Sequence, residues 1–445
     1  MLVQFALLLL AAAPSDSVPA GTQLIYRGRF VAEKGDTAAG EKLFDLTIVT
    51  AKSDSGTIAY WTTEERGHGG WTWLDRFGKL TLNDRLRNVE GIGPTLLSER
   101  PEGSSVVPLL LPFVTYAEPF AIDTAWMEGG LDHRVVASEK IGETDCWRID
   151  VRSPIGRKRS MWVDRDSPAV MAVSETVFIG QGEQHNLRYE LVARDKLDEG
   201  DTTKIVAAFD ELLRLRSRLE FTPQVRDYQW TAQRLALLKA DLPTVMEKAK
   251  ETSLTKLVQA AAEESKTQKD RSNALGAIQG KIVGRASPRP ELETIAGAPF
   301  AWDEIQGKVT ILHFWEYRDT PLEEPYGQVA YLDYLSRKHQ SSDVRVLGVV
   351  ADERVTQADA RRAGVQSAKR LHAFMNLSYP LLVDAGKAIK LFGDPRATGA
   401  KLPLFVVLDR AGKIIHYHVG HYEVNRDRGL EELDTVVTKA LDNRG

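Results

Sequence analysis

A chain of 445 residues with 43% hydrophobic and 27% charged positions is long enough for two or three domains and apolar enough to fold them. Its net charge of −4 comes from acids and bases that are interspersed, which excludes a basic nucleic-acid groove. Its single cysteine, Cys146, excludes any disulfide within one chain.

Residues 1–20, MLVQFALLLLAAAPSDSVPA, carry an apolar run from Phe5 to Ala13 that is well short of the ~20 residues needed to span a bilayer. Small residues follow at Val18-Pro19-Ala20. The pattern predicts a secretory signal cleaved after Ala20, although no Lys or Arg precedes the apolar run. The expectation is a periplasmic or secreted protein with no transmembrane segment once the signal is removed.

Residues 21–200 read as an antiparallel β domain. LIYRGRFVAE, KLFDLTIVTAK and TIAYWTTEER alternate apolar and polar positions with period two. The stretch SSVVPLLLPFVTYAEPF reads as an apolar loop or short helix. Strands then return in series, from DHRVVASEK to HNLRYELVAR, with breaks such as Ile141-Gly142-Glu143. Short breaks between neighbouring strands predict a meander that curls into an open or half barrel. Trp61, Trp71, Trp73, Trp126, Trp147 and Trp162 all fall here, as core filling or as the lining of an apolar ligand site. RGHGGW, Arg66 to Trp71, opens no helix and reads as a turn, not a phosphate loop.

Residues 201–283 read as a helical connector. Asp201-Thr202-Thr203 predicts an N-cap, followed by a stripe at Ile205, Val206, Phe209, Leu212, Leu213 and Leu219. Thr222-Pro223 and Asp241-Leu242-Pro243 predict the starts of two further helices, since proline is tolerated in a first turn. EESKTQKDRSN is either solvated helix or linker.

Residues 284–445 alternate strand and helix. KVTILHF, DVRVLGVVAD, YPLLVD and LPLFVVLD are near-continuous apolar strands, and GKIIHYHVG closes a hairpin through DRAGK. Buried strands alternating with helices predict an α/β sheet, mixed because of that hairpin.

GRASPRPELETIAGAPFAWDEIQGKVTILHFWE, YPLLVDAGKAIKLFG and LPLFVVLDRAGKIIHYHVG together resemble the thioredoxin-like superfamily, in particular exported thiol-disulfide oxidoreductases and peroxiredoxin-like proteins. The resemblance covers the whole of 284–445. More weakly, the strand series and MWVDRDSPAVMAVSE are similar to the half-barrels of lipoprotein-carrier proteins. In the thioredoxin-like family Phe-Trp is followed by three residues and then Cys-X-X-Cys. The resemblance therefore places Asp319 and Leu322 at the two cysteine positions, with Thr320 and Pro321 between them. Disulfide exchange needs a thiolate to attack and a second thiol to resolve, and neither residue supplies one. Asp319 is expected to cap the following helix instead. Leu402-Pro403 falls where the family keeps a cis-proline that offers backbone to an extended peptide. Trp315, Tyr317, Thr320, Pro321, Leu402 and Pro403 thus form a candidate binding groove, occupied by strand addition.

The implied function is a redox-inactive binding or scaffold protein of the cell envelope, with a protein, peptide or apolar ligand as partner, no cofactor and no catalytic residue. One alternative is a thiol-disulfide oxidoreductase or peroxiredoxin, as the fold implies, drawing on Cys146 or a partner's thiols. Another is a lipid or lipoprotein carrier acting through the β domain. His416, His418 and His421 are close enough in sequence to be weak metal candidates, with only Glu423 nearby to support them.

Overall fold

The computed structural model describes residues 20–33, 41–53, 56–66, 73–83, 86–100, 103–114, 116, 119–153, 158–180, 182–220, 230–319, 326–339 and 343–442. Residues 1–19 of the expected signal sequence, the Gly67–Gly70 part of the expected turn, Trp71, Thr222-Pro223 and Thr320 to Pro325 lie outside the described residues. The chain divides into two compact units. One comprises Met1–Arg100, Ser104–Phe221 and Leu238–Glu263, the other Pro101–Gly103, Thr222–Leu237 and Glu264–Gly445.

Among the described residues the first unit is built on thirteen strands: β1 (Thr22–Ala32), β2 (Lys42–Ser53), β3 (Gly56–Arg66), β4 (Phe77–Leu82), β5 (Asn88–Gly91), β6 (Thr95–Arg100), β7 (Gly103–Pro108), β8 (Ala125–Glu128), β9 (Leu131–Ile141), β10 (Thr144–Arg152), β11 (Lys158–Asp164), β12 (Val170–Ile179) and β13 (Glu183–Lys196). Eleven of them form one sheet in the order β5-β4-β3-β2-β1-β13-β12-β11-β10-β9-β8. The sheet is antiparallel and open, not a closed barrel. Its two edges, β5 and β8, are four residues each, which leaves little unpaired backbone.

One face of this sheet is apolar, as period-two alternation requires. Tyr26, Phe30, Phe44, Ile48, Val135, Ile149, Val163 and Tyr189 are among the buried residues. Gly28 has no side chain because the Phe44 ring lies on it, where a Cβ would come within 2.3 Å of the ring. Leu96, Leu97, Val107, Leu109 and Phe113 pack into the same core. The stretch read as loop or short helix is in part strand β7, paired with β6. Its alternation decided this: Val106 is 55% exposed and Val107 1%. Trp61 and Trp73 are buried core residues, and Trp126 and Trp147 pack at the core margin. Within the buried layer, Arg159 pairs with Glu175 at 2.8 Å, with side chains 9% and 1% exposed.

Among the described residues three helices follow: α1 (Glu199–Arg218), α2 (Ala232–Ala249) and α3 (Thr255–Ile282). The cap of α1 is Asp198, not the expected Asp201; the Asp198 carboxylate accepts the Asp201 N–H at 2.7 Å. Ile205, Phe209, Leu212 and Leu219 are buried as the stripe predicted, Leu215 is buried beside them, and Tyr60 meets Phe209 at 5.0 Å between rings. Pro243 does not open a helix. It lies inside α2, where Leu238, Leu242 and Val245 bury one continuous face across it. The polar segment EESKTQKDRSN is helical throughout, within α3. Helices α2 and α3 each contribute residues to both units.

The second unit has strands β14 (Glu293–Thr294), β15 (Val309–Trp315), β16 (Val344–Val350), β17 (Leu381–Val383), β18 (Leu404–Leu408) and β19 (Ile414–Val419), with helices α4 (Val329–Lys338), α5 (Arg361–Phe374), α6 (Ala388–Leu391) and α7 (Glu431–Asp442). The strand order is β14-β17-β16-β15-β18-β19. The pairs β15–β16 and β16–β17 are parallel, while β15–β18 and β18–β19 are antiparallel. Both faces are covered. Val329 and Leu332 of α4, Leu371 of α5, and Leu433 and Val437 of α7 join Ile311, Phe405 and Val407 on one side. Ile389 and Phe392, with Ile278 and Ile282 of α3, join Leu312, Phe314 and Val406 on the other. Burial on both faces is why these strands read as unbroken apolar runs. Among the described residues no helix is long and apolar enough to cross a membrane.

Candidate functional site

The candidate site lies where β15 ends. The Phe314↔Leu404 pair fixes the register, and one step further puts Trp315 opposite Pro403. The Leu402–Pro403 peptide bond is cis. The Pro403 carbonyl accepts the Gly420 N–H at 2.8 Å, so the proline loop and the end of β19 are tied together. Trp315 lies flat against Gly327, where an added Cβ would sit 2.4 Å from the indole.

Tyr317 does not line an exposed groove. It is 0% exposed, with a left-handed backbone at φ 51°, and its hydroxyl meets His313 Nδ1 at 2.7 Å and the Tyr379 hydroxyl at 3.4 Å. This turn drives the ring back under the sheet, over Gly348, whose hypothetical Cβ would be 2.4 Å from the Tyr317 hydroxyl.

Asp319 is on the surface at the end of this turn. Its N–H donates to Ser367 Oγ at 2.9 Å, Ser367 Oγ donates back to its Oδ1 at 2.5 Å, and Arg370 donates to Oδ2 at 3.3 Å. The Ser367 hydrogen bond, assisted by Arg370, holds its carboxyl below the usual aspartate range. The N–H groups that the expected helix cap would serve lie outside the described residues, and the described partners of the Asp319 carboxylate are Ser367 and Arg370. Helix α4 runs from Val329, with Gln328 at its N-cap position but with no side-chain cap hydrogen bond, and the carboxylate of Asp319 is fastened sideways to α5. Thr320, Pro321 and Leu322 lie outside the described residues, so the rest of the expected groove is not placed.

Beside Asp319 a buried ion network fixes the chain. Asp352 is 0% exposed and accepts from Arg318 at 3.0 Å and from Arg354 at 2.7 Å. Burial alone would raise its pKa, but hydrogen bonds from Arg354 and the Arg318 charge bring it below the usual value. Glu316 pairs with the same Arg318 at 3.1 Å, yet burial leaves its carboxyl raised. The sequence reading missed Ser367, Arg370 and Asp352, because they come from distant elements and form no local motif.

Cys146 is on β10, opposite Asp164 and Glu139. It is fully buried, and burial, followed by the charges of Asp164 and Asp145, pushes its thiol up to about 11. A thiol in that setting is protonated at neutral pH and shielded from attack. His416 and His418 share a face of β19 with parallel rings 6.2 Å apart, but among the described residues no group of three such side chains is arranged to hold a metal ion.

Residues 283–417 match the AhpC/TSA family. That span lies within the second unit and makes it thioredoxin-like. It covers under a third of the chain. No curated protein matches. Among solved structures, a protein assigned as thiol:disulfide interchange protein DsbE from Chlorobium tepidum is 21% identical, covering 36% of this chain and 97% of its own, with a TM-score of 0.28. A secreted Mycobacterium tuberculosis disulfide oxidoreductase is 20% identical over 34% and 95%, with a TM-score of 0.25. A thioredoxin-like protein from Porphyromonas gingivalis is 18% identical over 37% and 96%, with a TM-score of 0.28. The family match, and not these likenesses, carries the assignment.

Proposed function

We propose that this chain is an exported binding protein in which a thioredoxin-like unit has kept its proline loop and lost its redox chemistry. The observation that carries this reading is Asp319. The residue at the first cysteine position is an ionised carboxylate engaged by Ser367 and Arg370, and a carboxylate cannot exchange disulfides. The only cysteine in the sequence is buried in the other unit, with a raised thiol pKa. The occupant of the Leu402–Pro403 loop is an extended peptide, bound through main-chain hydrogen bonds beside Trp315. Export follows from the signal sequence at 1–20, and the organisation from boundaries near 200 and 283.

The test is insulin reduction with dithiothreitol, run on the natural chain and on the double variant Asp319→Cys, Leu322→Cys. The expected result is no turnover above background for the natural chain and measurable turnover for the double variant. Turnover by the natural chain that disappears in Cys146→Ser would overturn the proposal and restore an oxidoreductase. If both chains are silent, the thioredoxin-like unit does not retain a working site, and the peptide-binding part of the proposal falls.

A further inference from the structure

Three histidines of the second unit, His313, His416 and His418, share one face of its sheet. Register makes His313 on β15, Phe405 on β18 and His418 on β19 neighbours in one row. His416 is two residues away on the same face of β19. Their rings touch through aromatic neighbours: His313 is 4.6 Å from Phe405, Phe405 is 6.1 Å from His418, and His418 stacks on Tyr422 at 3.9 Å. His416 Nε2 meets the Tyr422 hydroxyl at 2.7 Å, and Trp315 meets His421 at 6.2 Å.

Directly over this patch runs the turn 420–422, which is held at both ends. Gly420 donates to the Pro403 carbonyl at 2.8 Å. Tyr422 is gripped reciprocally by Gln328: the Gln328 amide donates to Tyr422 O at 2.6 Å, and Gln328 Oε1 accepts the Tyr422 N–H at 2.9 Å. Gln328 is 0% exposed and left-handed at φ 64°, so the grip is built into the start of α4. The same short turn therefore joins β19, the proline loop and α4.

This arrangement favours neutral imidazoles. His313 Nε2 and His418 Nε2 are buried and, among the described residues, have no hydrogen-bond partner. The titratable groups that face the rings are Tyr317 and, behind it, Tyr379 from the β15 side, His416 and His421 from β19 and its turn, and Tyr422, which in turn feels Glu432 of α7. No carboxylate is paired with His313, His416 or His418 among the described residues, and the backbone of Gly327 and of His421, which favours a charged ring at His313 and His418, is outweighed by burial. Burial, then the His421 charge, lowers His313 to about 3. Burial, then His416, lowers His418 to about 4. Burial also lowers His416.

We propose that the His313–His416–His418 cluster is an acid-operated latch, whose protonation releases the 420–422 turn from Gln328 and Pro403 and loosens the proline loop. The sign follows from linkage. Above the ordinary histidine value of about 6.5, open and closed forms are both neutral and the latch stays shut. Below it, the open form takes up protons that the closed form resists, so opening rises as pH falls toward the lowered closed-state values. The consequence for ligand, peptide release on acidification, rests on the groove reading above; the opening itself does not.

Hydrogen exchange on the full chain tests the latch without any ligand. After correction for the intrinsic pH dependence of exchange, the amides of Gly420 and Tyr422 are expected to lose at least tenfold of their protection between pH 7 and pH 5, while β16 keeps its own. His418→Gln and His313→Gln, which do not titrate, are expected to reduce that pH dependence. Unchanged protection down to pH 5, a uniform loss across the whole sheet, or an identical pH profile in both variants would each overturn the proposal. Should the variants fail to fold, imidazole resonances of the natural chain decide. Titration in step with the exchange supports the latch, and loss of protection with unmoved resonances refutes it. A chain that binds no extended peptide at any pH removes the groove reading and leaves the latch to the exchange result.

Discussion

Ser367 both accepts a hydrogen bond from the Asp319 backbone and donates one to the Asp319 carboxylate, at 2.9 and 2.5 Å. This two-way contact ties the chain just after β15 to α5, across 48 residues of sequence. A carboxylate and a hydroxyl thus stand where the resemblance expects a thiol.

The two side chains should be energetically coupled. In a double-mutant cycle of Asp319→Ala with Ser367→Ala, a coupling energy of about 0.5–1.5 kcal/mol is expected from urea titration. Arg370→Ala should cost less than about 1 kcal/mol, because its side chain is 67% exposed. Because the folded pKa of Asp319 lies below the reference 3.8, its contribution is present above that value and disappears as pH falls through the lowered folded value. Additive single-variant losses at pH 7 would show that the contact carries no energy.

Gly348 is required beneath Tyr317. Gly348→Ala would place a methyl 2.4 Å from both the Tyr317 hydroxyl and a Leu381 methyl, so a loss of about 1–3 kcal/mol is expected. Pairing it with Tyr317→Phe should recover part of the loss by removing the hydroxyl, at the expense of the His313 hydrogen bond. Equal stability of Gly348→Ala and the natural chain in thermal unfolding would show that Tyr317 moves aside freely.

The Arg159–Glu175 pair lies inside the first unit. Removing one partner leaves the other charge buried, so Glu175→Ala should cost about 3–5 kcal/mol. Replacing both by apolar residues of similar size is expected to cost far less, by the same reasoning. Circular dichroism melts of the single and double variants separate the two results.

Cys146 should be chemically silent. Ellman's reagent at pH 8 is expected to leave it unmodified in the folded chain and to titrate one thiol per chain in denaturant. Raised above the reference 9.0, this thiol favours the folded state below that value, and the advantage is lost as pH climbs from 9.0 through about 11. Rapid modification at pH 8 in the folded chain would bring Cys146 back as a candidate nucleophile.

The sequence by itself determined the class of both units. Period-two alternation from Leu24 onward could only bury one face of an antiparallel sheet, and Ile205, Phe209 and Leu212 could only bury one stripe of a helix. The apolar run from Val309 to Trp315 marked a strand covered on both sides. Composition alone established that no intrachain disulfide chemistry is possible. These features are local or compositional, so they can be read in order along the chain.

Only the tertiary structure decided what surrounds the site. Sequence offers Asp319 a following helix to cap, but does not show the Ser367 and Arg370 that come alongside its carboxylate from α5. Pro243 looks like a helix start because its local cost is visible and the face that Leu238, Leu242 and Val245 bury together is not. Tyr317 looks like a groove residue until its left-handed backbone turns it under Gly348. His313, His416 and His418 are more than a hundred residues apart at the extreme, and strand pairing through Phe405 makes them one cluster. Burial then keeps those rings neutral, a property that no spacing of histidines along a chain can encode.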